Sequence, residues 1–198
     1  METRQLKDHE LVNLYISEGN QVCIQELVTR HRTKIYTYIV LIVKNQALAE
    51  DIFQDTFIKV IKTLRKGKYQ EQGIFLSWVI RIAHNLIIDF FRKEKHLKTC
   101  SAEDRKEVDL FNNSKFSDKT IEENIIQTQI SEDVRNLVDL LPEDQKQVIL
   151  LRHYGELSFK EIADFTGVSI NTALGRMRYA LINLRKLIKD RNLKLTAA

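Results

Sequence analysis

The sequence predicts an all-α protein of two small helical domains joined by a flexible linker, and three observations carry that expectation. Six Gly and one Pro in 198 residues are too few for the many tight turns of a strand-rich fold. Apolar residues recur at intervals of three and four over two long stretches, the spacing that lines one face of a helix. Between those stretches the period collapses into polar, charged sequence. Hydrophobic residues make up 43% and charged residues 29% of the chain, apolar surface enough to give each block a core.

The first block runs from Glu26 to Lys93. Ile35, Tyr38, Ile39 and Ile42 mark one amphipathic helix, and Leu48, Ile52, Phe53, Phe57, Val60, Ile61 and Leu64 mark a second. The polar stretch from Lys66 to Gly73 breaks the pattern. A third helix is expected from about Ile74 to Lys93, with Phe75, Val79, Ile82, Leu86 and Phe90 inward. Residues 1–94 therefore read as a helical bundle and residues 95–120 as the linker. In residues 121–198 the helical period returns through Ile121, Ile125, Ile130, Val134, Leu137 and Leu141. Pro142 suits the first turn of the next helix, and Gly155 its end.

The sharpest local signal follows. Ser158 and Glu161 have the spacing of a capping box, in which hydroxyl and carboxylate each satisfy an orphan helix N–H. Gly167 can take the left-handed turn between two helices, and Ser169 is placed to cap a helix running from Ile170 toward Ile188. These marks spell a helix-turn-helix in the C-terminal domain. On its second helix Ile170, Ala173, Met177, Leu181 and Leu184 share the inward side, leaving Asn171, Thr172, Gly175, Arg178 and Tyr179 outward.

Charge is distributed unevenly. The net charge of +4 is only mildly basic, yet no Asp or Glu occurs from Phe165 to Lys189, where Arg176, Arg178, Arg185, Lys186 and Lys189 accumulate. An acid-free basic helix of this kind suits DNA phosphates. In the helix from Leu48 to Leu64, by contrast, Asp51, Gln54, Asp55 and Ile58 form a ridge opposite the apolar face. Acids repel DNA, so a narrow acidic ridge with an exposed apolar anchor points to a protein partner with a basic surface. The third helix sets Trp78, Arg81, Asn85, Asp89 and Arg92 on one stripe beside Lys66, Lys68 and Tyr69, a mixture suited to single-stranded DNA, whose bases stack on rings. A solvated helix face, or a Trp78 half-buried in the core, would have the same composition. His84 reads as a surface side chain.

No carboxylate pair, activated nucleophile, phosphate-binding glycine loop or metal-ligand spacing stands out, so the sequence gives no reason to expect an enzyme, a cofactor or a metal. Cys23 and Cys100 are too isolated for a disulfide framework or zinc site. No basic-then-apolar leader and no apolar stretch of roughly 18 residues occurs, and a cytoplasmic protein without membrane association is expected.

Three segments resemble the extracytoplasmic-function (ECF) sigma factors of bacterial RNA polymerase. Ala49-Glu50-Asp51-Ile52-Phe53-Gln54-Asp55-Thr56-Phe57 is similar to the segment of sigma region 2 that binds the polymerase clamp helices. Phe75-Leu76-Ser77-Trp78-Val79-Ile80-Arg81-Ile82-Ala83-His84-Asn85, with Asp89 and Arg92, resembles the signature that opens and reads the minus-ten element. Leu141-Pro142-Glu143-Asp144-Gln145 and the helix-turn-helix resemble sigma region 4, which reads the minus-thirty-five element. The resemblance spans about Glu26 to Ile188.

It implies a sigma factor that binds core RNA polymerase and promoter DNA and promotes strand opening, with an anti-sigma factor as a further candidate partner. Asp51, Gln54, Asp55 and Ile58 would meet core polymerase. Lys66, Lys68, Tyr69, Trp78, Arg81, Asn85 and Arg92 would meet the minus-ten element, the loop and Asn85 capturing a flipped-out base. Ser169, Asn171, Thr172, Gly175, Arg176, Arg178 and Tyr179 would meet the minus-thirty-five element. Leu174 and Gly175 depart from the polar or basic residues many relatives carry there, which shifts base readout toward Asn171, Thr172, Arg176 and Arg178. The residues alone also fit a helix-turn-helix repressor or activator that acts without core polymerase.

Overall fold

A computed structural model describes residues 5–69, 74–100 and 136–193, without the side chains of 96–100. Every regular element among the described residues is helical: α1 (Asp8–Glu18), α2 (Gln21–Val43), α3 (Gln46–Arg65), α4 (Phe75–Cys100), α5 (Glu143–His153), α6 (Phe159–Thr166) and α7 (Ile170–Asp190). The chain divides into two compact units, Met1–Asn113 and Ser114–Ala198. The expected bridge at 101–120 and the helical period at 121–135 lie outside the described residues.

In the N-terminal unit α2 packs against α1, α3 and α4, and α3 also packs against α4. Leu27, Ile35, Tyr38 and Ile39 of α2 are fully buried, with Val60 and Leu64 of α3 and Val79, Ile80 and Ala83 of α4. Each large apolar side chain so buried contributes roughly 1.5–3 kcal/mol over its exposed state. Asn20 and Asn45 begin α2 and α3, their side-chain oxygens accepting from Val22 N and Leu48 N, both at 3.0 Å. These caps satisfy N–H groups that a helix start leaves unpaired.

Helix α1 was not expected from the sequence. Its buried Leu11, Val12 and Tyr15 are too few to sustain a period, and polar bonds complete its attachment. Asp8 pairs with Arg30 at 2.7 Å and with His31 at 2.6 Å, while Arg65 donates to the Tyr15 hydroxyl at 3.1 Å.

Three expectations for α4 are corrected. The helix continues past Lys93 to Cys100; the apolar period ends there, but Glu94, Lys95 and Leu97 are good helix formers. Its buried face consists of Phe75, Leu76, Val79, Ile80, Ala83 and Ile87, with Phe90 37% exposed and Ile82 and Leu86 half-buried. Contact with both α2 and α3 rotates the covered stripe away from that predicted. His84 is buried, not superficial, because its Nδ1 lies 2.6 Å from the Tyr38 hydroxyl and its polarity is satisfied inside. Cys23 is a buried free thiol, its pKa raised by burial and secondarily by Glu18; the side chain of Cys100 lies outside the described residues.

The described part of the C-terminal unit begins with a helical segment at 136–139. Leu137 and Leu141 join Val148, Leu151, Leu157, Ile162, Ala173 and Ala180 in its core. Pro142 precedes the first turn of α5, its carbonyl accepting from Gln145 N at 2.9 Å and Lys146 N at 3.0 Å. Lys146 is buried and its ammonium pairs with Asp139 at 2.6 Å. Past α5 the left-handed residue is Glu156, φ 54°, not Gly155.

The capping box forms as expected: Glu161 N donates to the Ser158 hydroxyl at 3.3 Å, and Ser158 N to the Glu161 carboxylate at 2.8 Å. Gly167 ends α6 at φ 68°, and Ser169 accepts from Thr172 N at 3.1 Å to start α7. Ala173 and Ala180 let α7 lie close on α5 and α6. Ile170 and Leu181, expected inward, are 45% and 43% exposed. A 21-residue helix spans about 31 Å at 1.5 Å per residue, and α5 and α6, with 11 and 8 residues, cannot cover its length.

Candidate functional site

Two exposed surfaces of the N-terminal unit carry the expected side chains. On α3, Asp51, Gln54, Asp55 and Ile58 are all exposed, Ile58 to 48%. Ile52, Phe53, Phe57, Val60 and Leu64 are buried on the other side. The ridge therefore stands on a helix fixed by its own core, with carboxylates and an apolar side chain presented together.

The second surface follows the end of α3 and the outer side of α4. Lys66 and Lys68 are exposed, and Gly67 takes φ 61° between them. Asn85 and Arg92 are exposed, Trp78 and Arg81 half-buried, and Arg92 pairs with Asp89 at 2.8 Å. Tyr69 departs from the expectation of an accessible ring. It is buried, its centroid 4.2 Å from that of Trp78 and 6.4 Å from that of Phe75. Aromatic contact in the first turn of α4 outweighs exposure, so Tyr69 supports Trp78 rather than standing free. Residues 70–73 of the loop lie outside the described residues.

In the C-terminal unit, Ser169, Asn171, Thr172, Arg178 and Tyr179 are exposed, Tyr179 to 61%. Ser169 and Thr172 hydroxyls lie 2.8 Å apart, so both are engaged at the helix start. Gly175 is half-buried with open space where a Cβ would stand; its backbone does not demand glycine. Arg176 is not free: its guanidinium donates to the Asp144 carboxylate at 2.7 Å. Pro142, Glu143, Asp144 and Gln145 of one wall and Thr172, Gly175, Arg176 and Tyr179 of the other line an open cleft. Sequence reasoning named Arg176 but missed Asp144, because an acid in the first turn of a helix is ordinary.

Among the described residues no group of three His, Cys, Asp or Glu is placed to hold a metal ion, and no helix is long and apolar enough to cross a membrane.

Comparison with known proteins bears on both units. Residues 27–97 match the family Sigma-70 region 2, and residues 131–179 match Sigma-70, region 4. The chain is 30% identical over 158 residues to the RNA polymerase sigma factor SigV of Bacillus subtilis (strain 168), covering 80% of this chain and 86% of that protein. It is 26% identical over 177 residues to the ECF RNA polymerase sigma factor SigW of the same organism, covering 88% of this chain and 94% of SigW. Its fold is similar to the sigma factor RpoE of Bartonella quintana, solved with the anti-sigma factor NepR. That match has a TM-score of 0.59 and 17% identity, covering 84% of this chain and 96% of RpoE. On the matched regions and this identity, the chain belongs to the RNA polymerase sigma factor family, in its extracytoplasmic-function branch, and acts in transcription initiation.

Proposed function

We propose that residues 1–94 form the part of this sigma factor that engages core RNA polymerase and the minus-ten element, that 95–120 link the domains, and that 121–198 read the minus-thirty-five element. In this reading Asp51, Gln54, Asp55 and Ile58 meet a basic surface of the polymerase. Lys66, Lys68, Trp78, Arg81, Asn85 and Arg92 meet the opened strand, with Tyr69 holding the Trp78 ring from behind. Ser169, Asn171, Thr172, Gly175, Arg176, Arg178 and Tyr179 face duplex DNA.

The observation that carries the reading is the segregation of exposed charge. An acidic ridge on α3 is unsuited to phosphates and suited to a basic protein. On α7 the stretch from Ile170 to Lys189 holds no Asp or Glu and exposes Arg178, Arg185, Lys186 and Lys189, which suits it to phosphates. A duplex-binding repressor has no use for the first surface. Bond making and breaking belong to the polymerase; this chain positions it and repays the few kcal/mol of flipping a base with stacking and backbone contacts. The protein works in the cytoplasm, and an anti-sigma factor is a further partner, as for the RpoE relative solved with one.

Promoter-dependent transcription with purified core polymerase tests the assignment. Wild-type protein is expected to direct specific initiation. Asp51→Lys with Asp55→Lys is expected to abolish it by loss of core binding, and Arg178→Ala to reduce it through weaker promoter binding in an intact holoenzyme. Specific duplex binding by the free protein, with no affinity for core, would instead establish a repressor or activator.

A further inference from the structure

The Arg176–Asp144 pair occupies a cation on the helix assigned to DNA. Arg176 lies in the acid-free stretch of α7, yet its side chain is only 22% exposed and its guanidinium donates at 2.7 Å to a carboxylate from the first turn of α5. Asp144 itself is 63% exposed, so the pair sits at the mouth of the cleft and not in the core. Next to it, Asn183 donates to the Gln145 side chain at 2.9 Å, so consecutive residues of α5 hold two positions on α7.

An exposed ion pair contributes little to stability, and a carboxylate beside a phosphate-facing surface opposes DNA binding. Its consequence is therefore one of discrimination. While Asp144 holds it, the guanidinium is withheld from the phosphates of any duplex that happens to lie against α7. It is released only where the remaining contacts seat the helix closely enough for a phosphate or base edge to replace the carboxylate.

We propose that Asp144 is a specificity-determining residue that lowers the affinity of this chain for non-cognate DNA by sequestering Arg176. The inference rests on the assignment of α7 to duplex DNA and adds to it an intramolecular competitor for one of its cations. Specificity is a difference of affinities, and a competitor displaced only by the cognate site widens that difference.

The test uses the full chain assembled with core polymerase and two duplex probes. One is a 30-base-pair random-sequence duplex, and the other is the best binder that the wild-type holoenzyme selects from a randomised library. Asp144→Asn is expected to raise affinity for the random duplex about three- to tenfold. Its dependence on log salt should steepen by about 0.9, the signature of one added phosphate contact. Affinity for the selected duplex should rise less, so the ratio of the two falls. In an Arg176→Ala background the same substitution is expected to change neither affinity nor slope, since a double-mutant cycle isolates the pairwise effect.

An unchanged random-duplex affinity in Asp144→Asn would overturn the inference and leave the DNA-binding assignment standing. So would an equal rise in the Arg176→Ala background, which would show Asp144 repelling phosphates generally. Wild-type holoenzyme whose duplex binding is indifferent to salt and to Arg178→Ala would overturn the α7 assignment, and this inference with it.

Discussion

The hydroxyl of Tyr38 and Nδ1 of His84 lie 2.6 Å apart inside the N-terminal unit, joining the C-terminal third of α2 to α4. Burial penalises the charged ring and lowers the His84 pKa to about 4, against about 6.5 in an unfolded chain. Between these values the unfolded state binds a proton that the folded state refuses. The stability this group contributes is thus fully present above about pH 6.5, is lost as pH drops through the window, and is gone below about 4. The N-terminal unit is expected to lose about 3 kcal/mol of stability through this group between pH 7 and 4. Urea denaturation of wild type and His84→Gln, compared at both pH values, measures it. An equal pH dependence in the two proteins would exclude His84 as the source.

The α3 ridge makes a prediction that separates binding from folding. Asp51 and Asp55 are exposed and Ile52, Phe53 and Phe57 carry the packing, so Asp51→Lys with Asp55→Lys is expected to leave circular dichroism unchanged. Affinity for core polymerase should fall roughly tenfold or more, since like charges across an interface are costly. Fluorescence anisotropy of labelled protein titrated with core reads the loss; undiminished affinity would remove the ridge from the interface.

Opening of the promoter tests the α4 surface. Asn85→Ala, at an exposed position, is expected to preserve core binding and to reduce permanganate reactivity of unpaired thymines near the start site. Tyr69→Ala is expected to act differently: losing a ring 4.2 Å from Trp78 changes the fluorescence of the only tryptophan and lowers stability as well as opening. If both variants open promoters at the wild-type rate, this stripe is structural.

Local conformation in the helix-turn-helix gives a fourth prediction. Gly167 has φ 68° and open space around the position of a Cβ, so Gly167→Ala meets no clash and pays only the left-handed strain of roughly 1–2 kcal/mol. Ser158→Ala, which removes the hydroxyl that caps α6, is expected to cost about 1 kcal/mol. Thermal unfolding of the C-terminal unit should report both losses, and an additive pair should bring duplex affinity down with it. Neutral effects of both substitutions would mean that the turn is held by packing alone.

What the sequence made legible follows from how local each cause is. The caps at Ser158 and Ser169 and the turn at Gly167 depend on side chains within three residues, and they formed as read. The buried face of α3 was equally plain because its apolar stripe is long. Helix α1 was invisible because Asp8 reaches residues 22 and 23 positions away. His84 was misplaced for the same reason: its partner Tyr38 is 46 residues distant, and without it an imidazole on a helix reads as exposed. Ile170 and Leu181 were judged from their own helix, whereas their exposure depends on the length of α5 and α6. Asp144 stood in the sequence only as one member of the Leu141–Gln145 segment, with no sign of a partner; only the fold brings it to Arg176.

The burial of α4 bears on how the protein is made. Its Val79, Ile80, Ala83 and Ile87 close the apolar faces of α2 and α3, yet they follow Leu64 by up to 23 residues in the chain. A ribosome adding about 5–20 residues per second leaves those faces uncovered for roughly one to five seconds after α3 has emerged. During that interval the nascent chain is a half-built bundle with an open apolar groove, the state in which such chains aggregate or are held by chaperones. Slowing translation within codons 65–87 would lengthen the exposure, and the yield of this regulator would then be set by synthesis rate before any promoter is reached.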